Sequence, residues 1–80
     1  MPTRTIDGQR LFGRAVGFGR ALRRAGLGVD LGAAIDFARS LEIVDIGDRE
    51  QVRAAGEAVF VRRKDDLDPY HATFDRYWRG

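Results

Sequence analysis

The chain of 80 residues contains no cysteine, one histidine, one serine and two prolines. Without cysteine it forms no disulfide, so a domain of this size depends on an efficient hydrophobic core or on a partner. One histidine and one serine supply neither a zinc-ligand spacing nor a nucleophile–base pair. We therefore predict no catalytic, cofactor-binding or metal-binding residue, and we expect the domain not to be an enzyme.

Long apolar runs are missing as well. After Met1 no segment has the apolar stretch of a signal peptide, and none approaches the roughly 20 residues of a membrane span. We therefore expect a soluble, cytoplasmic protein without a membrane contact. The length fits one domain, which would bury only about 60% of the surface of its unfolded chain.

Charge is distributed unevenly along the sequence. Thirteen of the fourteen basic residues are arginine, and the formal net charge is +2. Residues 1–29 hold six arginines against one aspartate, a net charge of +5, whereas residues 30–80 hold eight basic and eleven acidic residues, a net charge of −3. The basic excess indicates either a solvated arginine face or a docking surface for an acidic partner.

Residues 10–25 predict an amphipathic helix. Leu11, Phe18 and Leu22 recur at helical spacing and belong to its apolar stripe, and Gly26 is predicted to end it in a left-handed conformation. Away from the stripe lies the predicted docking surface, which comprises Arg10, Arg14, Arg20 and Arg24.

Three more helices are predicted at residues 31–41, 49–61 and 69–78. Asp30, Asp48 and Asp68 are predicted as their N-caps, because each aspartate can accept hydrogen bonds from the unpaired amides of a first turn. Residues 1–9 lack periodicity and predict a loose lead-in. The predicted fold is a single all-α domain over residues 10–80, an orthogonal or irregular bundle of about four helices.

Four of the eight aromatic residues fall within residues 70–78. A short helix with so much aromatic surface must bury it, so we predict that the last helix closes the domain. The inner stripe of the second helix is predicted to begin at Leu31, and the third helix is predicted to lie in the middle of the bundle. The predicted core comprises Leu11, Phe18, Leu22, Ile35, Leu41, Val52, Val59, Phe60, Leu67, Tyr70, Phe74 and Trp78.

Two polar features of the sequence are candidate sites. His71 stands among aromatic residues, where a single histidine is usually structural. Asp65, Asp66 and Asp68 could hold a hard cation, but they lack the spaced carboxylates of a calcium loop. We predict a solvated loop there.

A small, basic, helical chain also fits a helix-turn-helix domain that binds nucleic acid. The third helix would then read DNA, yet Asp48, Glu50 and Glu57 would bring negative charge towards the phosphates. The arginines lie instead on the first helix. We therefore rank a protein partner first and nucleic acid as the alternative.

Four segments carry a family resemblance: Leu22-Arg23-Arg24-Ala25-Gly26-Leu27-Gly28-Val29, Asp48-Arg49-Glu50, Val61-Arg62-Arg63-Lys64-Asp65-Asp66-Leu67 and Phe74-Asp75-Arg76-Tyr77-Trp78. In order and spacing, residues 10–79 resemble the N-terminal helical region of CoxE-like proteins that contain a von Willebrand factor A domain. In that family the A domain follows the helices and coordinates magnesium through an Asp-x-Ser-x-Ser motif. A chain with one serine cannot contain that motif, so no metal-binding residue is carried over.

The resemblance implies a non-catalytic module for protein–protein recognition. Genes of this family commonly accompany MoxR-type AAA+ ATPases, and such pairs are thought to act as chaperones or maturation factors for metalloenzymes such as carbon monoxide dehydrogenase. The implied partner is the ATPase, the A domain or the client enzyme. The chain is expected to be either a fragment of a longer protein or a stand-alone relative.

Overall fold

A computed structural model describes the backbone of residues 2–79 and the side chains of residues 10–79. The chain forms α1 (Pro2–Arg24), α2 (Leu31–Leu41), α3 (Arg49–Phe60), a 3-10 helix (Lys64–Asp66) and α4 (Leu67–Tyr77). No strand occurs within residues 2–79, and the predicted all-α fold class is confirmed. None of the helices over these residues has both the length and the apolar character needed to cross a membrane.

Helix α1 begins well before the predicted start. It extends back to Pro2, whereas residues 1–9 were expected to form a loose lead-in; Met1 lies outside the described residues. Proline suits a first helical position because it has no amide that needs a partner. Extension of an existing helix adds one backbone hydrogen bond per residue and needs no apolar stripe, so periodicity does not reveal it.

The end of α1 follows the predicted pattern. Gly26 has a φ of 105°, which is the left-handed conformation that glycine adopts without strain. The amide of Gly26 donates to the carbonyl of Arg23, and the amide of Leu27 donates to that of Leu22, each at 3.0 Å. Both bonds together form a Schellman motif, and the buried Leu27 side chain anchors the turn.

Phe18 of α1 occupies the centre of the core. Its ring lies 5.6 Å from Phe37 of α2, 5.8 Å from Phe60 of α3 and 5.8 Å from Tyr70 of α4, measured between centroids. Helix α1 packs on α2 and α4, while α3 packs on α2 and α4. The expectation that the third helix lies in the middle is wrong: only one stripe of α3 is buried, and small alanines such as Ala54 tolerate exposure on its other face.

The predicted core residues differ in burial. Seven are buried: Phe18, Leu22, Leu41, Val52, Phe60, Tyr70 and Phe74. Five are half-buried: Leu11, Ile35, Val59, Leu67 and Trp78. Leu31 was expected inside but is 68% exposed, because α2 is rotated to place Phe37 against Phe18 and Phe60.

Two of the three predicted N-caps are confirmed. The Asp30 carboxylate accepts from the amide of Ala33 at 2.8 Å, and that of Asp48 accepts from the amides of Glu50 and Gln51 at 3.0 and 3.3 Å. These bonds satisfy amides of the first turns of α2 and α3.

The predicted cap at Asp68 is wrong. Helix α4 starts at Leu67, directly after the 3-10 helix, so Asp68 lies inside it. Asp65 and Asp68 are exposed, as expected of a solvated loop, but Asp66 is only 5% exposed. Its carboxylate accepts from the amides of Arg62 and Arg63 at 3.1 and 3.2 Å. Chiefly because of these amides, the pKa of Asp66 is lowered.

A candidate recognition groove

The four arginines of the predicted docking surface are all exposed on α1, but the structure separates them. The Arg14 guanidinium lies 4.4 Å above the centre of the Trp78 ring, on one side of α1. Arg24 lines a different recess between α1 and α4, together with Thr73 and Arg76. Arg10 and Arg20 line neither of these two depressions.

Arg14 and Trp78 belong to a groove of about 220 Å³, here called the Trp78 groove. It is bounded by α1, the loop 42–48, the start of α3 and the end of α4. Its lining comprises Leu11, Arg14, Leu41, Ile46, Gly47, Arg49, Val52, Phe74, Trp78 and Arg79. Six of these ten residues are large and apolar, so the groove has an apolar floor with arginines around it.

The loop 42–48 forms one wall of the groove. In this loop Ile43 is 86% exposed and Ile46 is 43% exposed. Gln51 accepts a hydrogen bond from the Asp45 amide at 3.0 Å, and the Asp45 carboxylate accepts one from the Gly47 amide at 2.9 Å. These local bonds leave Ile43 facing solvent, while Ile46 adds apolar surface to the groove.

Trp78 forms the opposite wall, where α4 ends. Its amide donates to the Phe74 carbonyl at 2.9 Å, and its carbonyl accepts from Arg49. Its ring lies 5.7 Å from that of Phe18 in an edge-on arrangement. The side chain is half-buried rather than fully enclosed, so one part of the indole contacts the core while another lines the groove.

Three arginines give the groove its charge. Arg49 pairs with Asp75 at 3.0 Å and lies 4.9 Å above the Phe74 ring. Arg14 stacks on the Trp78 ring. Among side chains 10–79 it has no carboxylate within salt-bridge distance. Arg79 is exposed at the rim of the groove. Among side chains 10–79 no Asp or Glu belongs to the lining, although Asp75 beside the groove pairs with Arg49.

The outer surface of α3 carries a separate charged network. Glu57 contacts Arg53 at 2.8 Å and His71 at 3.0 Å, and Arg53 also pairs with Glu50. The hydrogen bond from His71 is the main reason that the pKa of Glu57 is lowered. His71 therefore lies in a network that ties α4 to α3.

No group of three metal-ligating side chains forms among residues 10–79. Asp66 is one of the three aspartates considered as cation ligands. Its carboxylate accepts hydrogen bonds from backbone amides. Its hydrogen-bonding role here is structural.

Sequence reasoning identified only part of the groove. Arg14 was predicted to dock a partner, but Arg49 and Arg79 were missed, and Trp78 was assigned to the core alone. The signal that could have flagged Trp78 is its type, because tryptophan is enriched, with arginine, among residues that dominate binding energies. Nothing local in the sequence brings Arg49 next to the end of α4.

Residues 15–80 match the family described as the CoxE N-terminal helical bundle domain. The chain belongs to this family. The resemblance to the N-terminal helical region of CoxE-like proteins is thereby confirmed. Two residues of the Trp78 groove, Leu11 and Arg14, precede the part that matches the CoxE N-terminal domain. No curated protein matches the chain, and no solved structure does.

Proposed function

We propose that this CoxE N-terminal domain is a non-catalytic module for protein–protein recognition. It would act in the cytoplasm as part of a CoxE-like system with a von Willebrand factor A domain and a MoxR-type AAA+ ATPase, in chaperone-type maturation of a metalloenzyme. The observation that carries the proposal is the Trp78 groove, which combines an apolar floor, a tryptophan and three arginines.

The composition of the groove supports recognition. Protein interfaces combine an apolar centre with a polar rim and are enriched in aromatic residues and arginine, and tryptophan and arginine are common among the residues that dominate binding. The groove has this arrangement on a small scale, with Trp78 between Arg14 and Arg49.

The titratable groups support a non-catalytic role. Asp30 and Asp66 have lowered pKa values chiefly because their carboxylates accept backbone hydrogen bonds. Burial raises the pKa of Tyr70, whose hydroxyl donates to the Arg53 carbonyl. Each of these shifts has a structural cause, and none of the three groups lines the Trp78 groove.

The alternative, DNA binding through α3, is less well supported. Glu50 and Glu57 lie on the helix that would enter the groove of DNA, and their negative charges would oppose the phosphates. Anisotropy with labelled random duplex at physiological salt should show only weak, salt-sensitive binding. Sequence-selective binding tighter than micromolar would place this alternative first.

The proposed function is tested by binding to the MoxR-type ATPase, or to the A domain, encoded near this gene. We expect replacement of Arg10, Arg14 and Arg24 by glutamate to abolish measurable binding, mainly by slowing association, because opposite charges steer encounter. Raised salt should slow the association of the wild type in the same way. The measurement is a kinetic titration of both proteins at two ionic strengths.

Circular dichroism provides the folding control for that variant. Exposed ion pairs contribute little to stability, so the triple variant should remain folded. A folded variant that binds the partner as well as the wild type would show that these arginines are only solvated. Complete absence of binding by the wild type to the ATPase, the A domain and the client enzyme would contradict the proposed function itself.

A further inference from the structure

We infer that the Trp78 groove binds a short acidic, amphipathic segment of a partner protein, with apolar side chains on the groove floor and carboxylates against Arg14, Arg49 and Arg79. This inference rests on the proposed function and specifies the partner's chemistry at one site.

The size of the groove favours side chains over a free small molecule. Pockets for drug-sized ligands measure roughly 300–1,000 Å³, whereas the Trp78 groove measures about 220 Å³. A second depression of about 210 Å³ shares Leu11 with it and is lined further by Phe12, Ile35, Ala38, Arg39 and Glu42. Two small neighbouring depressions suit a chain segment that places an apolar anchor in each.

The apolar character of the site extends to its edges. Ile46 at one side is 43% exposed, and Phe12 in the neighbouring depression is 48% exposed. Covering such side chains with apolar groups of a partner removes apolar surface from water, which favours a complex. The phosphates and sugars of a nucleic acid would gain nothing from this floor, so an apolar protein side chain is the better occupant.

Charge decides the rest of the occupant's chemistry. Among side chains 10–79, three arginines and no carboxylate line the groove, and Arg14 has no salt-bridge partner. Guanidinium groups bind carboxylates through paired, parallel hydrogen bonds. A basic segment would be repelled, and a neutral one would offer no carboxylate to Arg14, so acidic residues should alternate with the apolar anchors.

The test uses three synthetic peptides of about four helical turns. One has leucine at helical spacing with glutamate elsewhere, the second replaces glutamate by glutamine, and the third replaces leucine by serine. Anisotropy of the labelled peptide reports binding. Fluorescence of Trp78, the single tryptophan of the chain, reports whether the peptide reaches the groove.

Two variants with the same loss of charge localise the site. Arg14→Gln with Arg79→Gln changes the groove, whereas Lys64→Gln with Arg76→Gln removes the same charge from exposed positions outside it. We expect the leucine–glutamate peptide to bind the groove variant about tenfold more weakly than the wild type. The control variant should retain the wild-type affinity, and both other peptides should bind the wild type at least about tenfold more weakly.

Three results would overturn the inference. The first is equal weakening in both double variants, which would indicate unspecific attraction. The second is equal affinity for the glutamate and glutamine peptides. The third is a wild-type dimer in sedimentation velocity that dissociates in the Arg14→Gln, Arg79→Gln variant, which would identify a second copy of the chain as the occupant.

Binding to the acidic peptide and binding to the ATPase can fail independently of each other. If the domain binds the ATPase but no acidic peptide, the inference about the groove is wrong and the recognition role stands. If the leucine–glutamate peptide binds through Arg14 and Arg79 while the ATPase, the A domain and the client do not bind, the inference stands and the proposed partners are wrong.

Discussion

Each end of α4 carries a tyrosine that bonds to the backbone of another helix. The first of these contacts lies in the core and the second at its edge. Near the start of α4, Tyr70 donates its hydroxyl to the Arg53 carbonyl of α3 at 2.7 Å. A Cβ atom at Gly56, three residues further along α3, would overlap the Tyr70 hydroxyl. The absence of a side chain at Gly56 therefore makes room for this bond.

The last residue of α4 repeats the arrangement on α1. Tyr77 donates its hydroxyl to the Arg14 carbonyl at 3.0 Å, and a Cβ atom at Gly17, again three residues further along, would overlap that hydroxyl. In both cases a tyrosine approaches a helix backbone closely because a glycine leaves a notch in its surface.

Burial distinguishes the two contacts. Tyr70 is fully buried, whereas Tyr77 is half-exposed, and next to Tyr77 the half-buried Trp78 lines the groove. The pairing of a tyrosine with a helix glycine therefore serves two purposes. At the inner end of α4 it stabilises the core, and at the outer end it holds Trp78 and Arg14 together where a partner can reach them.

The largest predicted difference separates Phe74 from Trp78. Phe74 is fully buried, so Phe74→Ala should lower the free energy of unfolding by about 3–5 kcal/mol. That is a large part of the roughly 4–12 kcal/mol available to a domain of this length. Trp78→Ala should lower the free energy of unfolding by about 1–3 kcal/mol, because part of the Trp78 ring remains exposed in the folded domain. Urea unfolding followed by circular dichroism measures both losses. Equal losses would show that Trp78 is as structural as Phe74.

The next difference concerns the two glycines. Gly56→Ala should destabilise the domain by roughly 1–3 kcal/mol, because the new methyl group meets the buried Tyr70 hydroxyl and approaches Phe37. Gly17→Ala should change stability by less than about 1 kcal/mol. Tyr77 can turn outward there, and alanine favours helix by up to about 1 kcal/mol. Thermal unfolding of the two variants tests the order.

Two further variants control this comparison. Gly13→Ala should be neutral or stabilising, because a Cβ atom there has open space around it. Adding Tyr70→Phe to Gly56→Ala should restore part of the lost stability, since it removes the overlapping hydroxyl. If that double variant is less stable than Gly56→Ala alone, the hydroxyl is not the source of the clash.

The smallest predicted effect concerns pH at the start of α4. The pKa of Asp66 is lowered in the folded state, so its contribution to stability is complete above the pKa of an unfolded aspartate, about 3.9. It is lost as the pH falls through the lower, folded value. Asp66→Asn should reduce the Tm at pH 7 and flatten the acid dependence of the Tm.

Asp68→Asn is the matched control for that measurement, because Asp68 lies two residues further on, at an exposed position of α4. Its Tm should follow the wild type between pH 7 and acid. If the two asparagine variants show the same profile, the hydrogen bonds that the Asp66 carboxylate accepts from the Arg62 and Arg63 amides do not stabilise the turn before α4.

Local features of this protein were predictable from the sequence. Asp30, Asp48 and Gly26 act on residues a few positions away, so the short spacing of donors and acceptors in the chain already determines these helix ends. Phe18, Phe60, Tyr70 and Phe74 were also predicted in the core from their helical spacing, whereas the fully buried Phe37 was not on the predicted list.

The sequence by itself thus determined an all-α domain, most of its helix ends and most of its core. The tertiary structure decided the rotation that exposes Leu31, the burial of Asp66 and the assembly of the Trp78 groove. Tyr77 meets the Arg14 carbonyl across 63 positions, and Arg49 meets Asp75 across 26. Contacts of that span depend on how whole helices pack around Phe18, and no local pattern of residues encodes that packing.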